Sequence, residues 1–115
     1  MKIAIPTSDR LTVFKRSGRT KEFAICEIEN GSWDFLEFRI NPHQHEEHNH
    51  DNQEHNHQDI LQALKDCDAL LVWAVGPHFK EDFDAANIPI YKTKEEDLKE
   101  AISRFATDML SHQRI

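Results

Sequence analysis

Residues 70–75, LLVWAV, form an unbroken apolar run inside the stretch 69–79. The run is too short for an ordinary helix and reads as a strand. A strand that is apolar on both sides has to be covered on both faces, as in the middle of an α/β sheet. Gly76-Pro77 ends the run, and His78 stands where the next helix should begin. Open α/β sheets bind ligands beyond the carboxyl ends of such strands. One segment therefore marks both the centre of the core and the first place to look for a site.

The rest of the chain can be laid out around that strand. Residues 2–6, KIAIP, are expected as a first strand, closed by Pro6 and the polar Thr7-Ser8-Asp9. A basic loop over residues 10–21 carries Arg10, Lys15, Arg16, Arg19 and Lys21 around Gly18. Residues 21–29 return to a strand pattern. Asn30-Gly31 is a strong signal for a two-residue hairpin turn, because both central positions need positive φ. Residues 32–40, with Trp33, Phe35 and Phe38, are the antiparallel partner.

Asn41-Pro42 interrupts the sheet. Residues 43–57 hold six histidines, four acidic residues and five Asn or Gln, with nothing apolar. Such a segment has no face to bury, so a flexible loop is expected there. A helix from about Asp59, with Ile60, Leu61 and Leu64 inward, leads into the central strand. A second helix is expected over residues 79–86, with Phe79, Phe83 and Ala86 on one side. Residues 88–91 form a short strand whose Pro89 points to an edge or a strand start. Thr93 and Glu96 make a capping box for a last helix with the stripe Leu98, Ile102, Phe105 and Met109. The order β-β-β-α-β-α-β-α predicts a single α/β domain over residues 1–115. It would hold a mixed five-stranded sheet with helices on its faces and the first strand beside the central one.

A net charge of -7 disfavours nucleic acid and anionic membrane as partners. No run approaches the roughly 18 apolar residues of a membrane span. The first ten residues turn polar too early for a secretory signal, so a cytoplasmic protein is expected. Cys26 and Cys67 form no Cys-x-x-Cys pattern and are expected as buried free thiols.

These segments, in this order, resemble the dinitrogenase iron–molybdenum cofactor biosynthesis family over residues 2–110. The likeness rests on the opening MKIAIPTSD, Gly18-Arg19 followed by Glu22-Phe23-Ala24-Ile25, Asn41-Pro42, Gly76-Pro77-His78, and residues 88–91 with the final helix. The resemblance implies a three-layer ribonuclease H-like fold and a protein that binds or carries metal–sulfur cofactor precursors. Relatives commonly read His-Phe-Gly-Arg where this chain has Arg16-Ser17-Gly18-Arg19, so a cation replaces a metal ligand. The turn after the central strand is also poorer in glycine here.

Two constellations carry chemistry. The first is the histidine tract, with three His-x-His units: His43/His45, His48/His50 and His55/His57. Neutral imidazole suits nickel, zinc or cobalt, and a flexible loop can gather several nitrogens around one ion. The second is the basic loop with the turn after the central strand. If their strands are neighbours, Arg16, Arg19 and His78 meet at one sheet end beside a helix amino terminus, a favourable place for an anionic cofactor. An iron–sulfur or iron–molybdenum type cluster is such an anion. Nothing comparable supports catalysis. The central strand contributes no acid for a two-metal site, and no phosphate loop or nucleophile elbow is present.

The sequence thus describes a non-catalytic accessory protein that binds a metal ion or metallocluster and hands it to a recipient protein. The alternative is an interaction module for an anionic small molecule or protein partner, with the tract incidental or serving metal storage. Six histidines with an ordinary pKa of about 6.5 gain protons between roughly pH 7 and 5.5. Nickel or zinc binding at the tract should fail across that interval, because the proton competes for the ligating nitrogen. Calorimetric titration checks this, and an affinity unchanged at pH 5 rules out a histidine-only site.

Overall fold

The first strand settles the architecture, because its apolar side chains alternate between two covered faces. In the computed structural model, which describes residues 1–42 and 58–108, β1 (Lys2–Thr7) lies in the middle of a five-stranded sheet. Around it are β2 (Glu22–Glu29), β3 (Ser32–Ile40), β4 (Ala69–Val72) and β5 (Ile90–Lys92), in the order β3-β2-β1-β4-β5. β1 runs antiparallel to β2 along its whole length and parallel to β4, with Ile3 opposite Ala69 and Ala4 opposite Leu70. β2 and β3 are an antiparallel hairpin, and β4 and β5 are parallel. The hairpin turns at Asn30 and Gly31 with φ of 52° and 83°, the positive values expected of that pair.

Ile3 and Ile5 of β1 face α3 (Leu98–Thr107), where they join Ala24, Cys26, Leu71, Ile102 and Phe105. Ala4 points the other way, into a cluster with Phe23, Ile25 and Leu70. That face is covered by Ile60 of α1 (Gln58–Ala63), Leu64 just beyond it, and Phe79 and Phe83 of α2 (Pro77–Ala85). The period-2 alternation of a strand therefore calls for helices on both sides of the sheet. Cys26 and Cys67 are buried free thiols. No helix among the described residues is long and apolar enough to cross a membrane.

Several boundaries differ from the sequence reading. The central strand stops at Val72 rather than at residue 75. Beyond it, Trp73, Ala74 and Val75 are only half-buried, and the Ala74 carbonyl accepts from a side chain instead of a strand. α2 starts two residues earlier than expected, with Pro77 in the first helical position, where a missing N–H costs nothing. Ala86 is exposed rather than inward. The last short strand spans Ile90–Lys92, with Pro89 before it. The capping box at Thr93 and Glu96 is not the start of α3. Asp97 caps it, accepting from the Glu100 backbone N–H at 2.9 Å. Glu96 is held extended because its carbonyl accepts from Val13 N–H and its neighbour Asp97 bridges Thr12, so the helix begins later. Met109 lies outside the described residues, as does the tract 43–57.

Two polar contacts tie the ends of the described segments to the sheet. Arg39 of β3 donates to the Ala63 carbonyl at 2.7 Å and to Asp66 at 2.8 Å, joining the strand before the tract to the helix after it. Asn41 is fully buried, and its side-chain amide donates to the Thr20 carbonyl at 2.8 Å. Replacing Asn41→Ala leaves that buried carbonyl without its donor. The expected loss is about 1–3 kcal/mol of stability, read as a lower urea midpoint with an unchanged slope.

Candidate functional site

Because β1 and β4 are parallel neighbours, the loop leaving one and the turn leaving the other emerge at the same end of the sheet. The loop is ordered from its start. Asp9 accepts from the backbone N–H groups of Leu11 and Thr12 at 2.8 and 2.7 Å and from the Thr12 hydroxyl at 2.8 Å. Those donors hold its carboxyl down at about 2, well below the usual value. Residues Ser17–Arg19 then form one 3-10 turn, and the buried Ser17 hydroxyl donates to the Ala74 carbonyl at 2.9 Å. This hydrogen bond joins the loop to the segment that leads into α2. Thr20 and Asn41 secure the far side, the Thr20 hydroxyl donating to the Thr7 carbonyl at 2.9 Å.

Four of the loop's five basic residues divide into two groups. Arg10 turns away from the turn. Its guanidinium makes a two-pronged contact to Glu22 at 2.9 and 2.7 Å and lies 4.5 Å from the Phe38 ring centre. Lys15 reaches Glu96 at 3.5 Å and stacks 4.5 Å over Trp73. Arg16 and Arg19, on either side of Ser17-Gly18, are exposed, and neither has an ion-pair partner among the described residues. Among these four, the uncompensated charge is therefore that of the two arginines.

Across the Ser17–Ala74 contact lies the start of α2. Gly76 is its N-cap and has no side chain to close the helix start, and a Cβ built there would meet nothing within 4 Å. The amino end of a helix carries partial positive charge and favours an anion. His78 sits in the first turn, exposed, with its Nδ1 4.0 Å from Glu81 Oε1. The structure thus brings together the two segments that carry Arg16, Arg19 and His78. Arginine forks and a helix amino end favour an anion over a bare cation.

No group of three or more His, Cys, Asp or Glu gathers as a metal site among the described residues. Cys26 and Cys67 are buried, and that burial pushes their thiols up to about 12 and 11, against ionisation. The six tract histidines, His43, His45, His48, His50, His55 and His57, lie outside the described residues. The last described residue before them is Pro42, next to Asn41 and its contact with the loop. Sequence reasoning missed Ser17 as the link between the two segments and Asn41 as a support. Their signal is faint: small polar side chains beside Gly18 and Pro42 in otherwise apolar or charged surroundings.

The loop's order depends on Asp9 being ionised. A carboxyl whose pKa is depressed on folding contributes stability above its unfolded value, near 4, and loses it as pH falls through about 2. The protection of the residue 10–13 amides, relative to their intrinsic exchange rates, should fall over that window, and Asp9→Asn should show the lower protection already at pH 6.

A family model described as dinitrogenase iron-molybdenum cofactor matches residues 1–108. Among solved structures, the chain is similar to the apo form of the orange protein from Desulfovibrio gigas, at 19% identity and a TM-score of 0.72, over 99% of this chain and 92% of that one. It is also similar to a candidate dinitrogenase from Methanocaldococcus jannaschii, at 16% identity and a TM-score of 0.68, over 100% and 94% of the two chains. A third likeness is to a candidate NifB protein from Thermotoga, at 23% identity and a TM-score of 0.64, over 93% and 88%. These structural likenesses establish the fold. No curated protein sequence matches the chain.

Proposed function

The chain belongs to the dinitrogenase iron–molybdenum cofactor family, and from that premise we propose that it is a non-catalytic carrier of an anionic metallocluster. The cargo is of iron–sulfur or iron–molybdenum type and is passed to a recipient protein. The observation that carries this reading is the Ser17–Ala74 hydrogen bond, which sets the Arg16–Arg19 turn against the start of α2. A bound cluster would take its charge-assisted hydrogen bonds from the two guanidinium groups and sit against the amino end of the helix. His78, exposed at that helix start, is the one imidazole of the described site able to ligate or donate.

In this reading the cargo is the substrate, bound and released unchanged. Retention rests on hydrogen bonds and electrostatics rather than on cysteine thiolates. That suits a carrier, because release then needs no exchange of covalent metal–sulfur ligands. The histidine tract is a separate element of the proposal, taking up nickel, zinc or cobalt ions by its imidazoles.

The test is metal and acid-labile sulfide content of untagged protein, purified anaerobically without chelator. It is run beside a deletion of residues 43–57 and the double variant Arg16→Ala/Arg19→Ala. Iron with sulfide is expected in the parent and in the deletion. It should fall by roughly ten- to a hundredfold in the double variant, the size of one or two lost charge-assisted hydrogen bonds. Nickel, zinc or cobalt should disappear with the deletion alone. No metal in any of the three, even after reconstitution, sinks the carrier reading.

A further inference from the structure

β3 closes one side of the sheet, and among the described residues no strand lies along its outer edge. It is also the longest strand, with nine residues against three in β5 at the opposite edge. Exposed edges invite pairing with another chain, and proteins usually blunt them with proline, short length or inward-pointing charge. β3 contains no proline and keeps apolar side chains in water. Phe35 and Leu36 are each 47% exposed and Ile40 is 68% exposed.

The register against β2 sorts these side chains by face. Trp33, Phe35 and Phe38 lie opposite Ile28, Cys26 and Ala24, on the side of α3. Asp34, Glu37 and Arg39 lie opposite Glu27, Ile25 and Phe23, on the other side. Leu36 is the extra residue where the register shifts between Ile25 and Cys26. Asp34 is exposed and has no ion-pair partner among the described residues. Arg39 uses its two terminal nitrogens on Ala63, Asp66 and Glu37, which leaves its Nε–H undirected among the described residues.

We propose that β3 pairs antiparallel with β3 of a second copy of this chain, forming a symmetric dimer with one sheet running through both subunits. The pairing is centred between Leu36 and Glu37. It sets Asp34 opposite Arg39 of the partner subunit, Phe35 opposite Phe38 of the partner subunit, and Trp33 opposite Ile40 of the partner subunit. A two-fold axis perpendicular to the sheet keeps each face on its own side, so every one of these pairs has both members on one face and occurs twice. Opposite charges and aromatic rings facing each other across strands are the favourable cross-strand pairs. Moving the register by one residue sets Asp34 and Phe38, from opposite faces, against each other. Sliding it by two sets Asp34 against Glu37 of the partner subunit, two like charges, or, in the other direction, against Asn41 of the partner subunit, which carries no charge to pair with. A single register is therefore self-complementary in both apolar and charged side chains. The dimer does not depend on the cargo, and its edge is formed by different residues from those of the Arg16–Arg19 turn.

Sedimentation velocity of the full chain from low to high micromolar concentration, with hydrogen exchange at both ends of the range, tests the pairing. A monomer–dimer equilibrium is expected, with β3 amides protected as the dimer fills. Asp34→Lys, a surface change that should leave the circular dichroism spectrum intact, brings like charges together with Arg39 of the partner subunit. It should weaken the dimer by about tenfold or more. A monomer throughout the range overturns the proposal. So does a dimer that Asp34→Lys leaves unchanged with β3 amides exchanging freely. A monomer with protected β3 amides would assign the edge to another segment of the same chain and overturn it equally.

Discussion

Everything in this protein hangs on β1 bonding to two neighbours in opposite senses. Its antiparallel ladder to β2 closes the local part of the fold, a three-stranded meander made from the first 40 residues. Its parallel ladder to β4 recruits the second half of the chain, in which each strand is reached through a helix. A parallel pair cannot be joined by a tight turn, so a crossover must pass over one face. α1 is part of that crossover and packs on the Ala4 face of the sheet. β1 is thus apolar on both sides because it is the seam between two modes of pairing. A polar substitution at Ile3, Ala4 or Ile5 would disturb both halves together.

The seam also decides where chemistry can occur. Two parallel strands side by side deliver their outgoing loops to one place, and here the loops are joined there by the Ser17–Ala74 hydroxyl–carbonyl hydrogen bond. The surroundings then remove most of the positive charge from competition. Glu22 takes Arg10, and Glu96 with Trp73 takes Lys15. In a chain of net charge -7, Arg16 and Arg19 remain as a small local cluster of positive charge. A compact anion there would be held by a few directed donors.

The fold was legible from residues 69–75, Asn30-Gly31 and the apolar stripes of the helices, because burial imposes period and hairpin turns impose φ. Helix boundaries were less so. Thr93 and Glu96 carry the letters of a capping box, yet a tertiary contact, Val13 N–H to the Glu96 carbonyl, holds that stretch extended and moves the cap to Asp97. The strand past Val72 failed for a similar reason, since Trp73-Ala74-Val75 is apolar enough to pair but has no partner strand among the described residues. At the site, the charged members could be named from the sequence. Ser17 and Asn41, which position them, could not. A short polar side chain reveals its role only when the atom it bonds, remote in sequence, is seen.

Arg39 has a consequence for how this chain tolerates change. By bonding the Ala63 carbonyl and Asp66, it fastens the strand before the tract directly to the helix after it. That fastening does not pass through the 15 residues of the tract. The entropy of closing a flexible loop grows only with the logarithm of its length, about 0.6 kcal/mol for each doubling. That connection can lengthen, shrink or change composition at almost no expense to the sheet. The domain behaves there as a finished frame with a socket for interchangeable sequence.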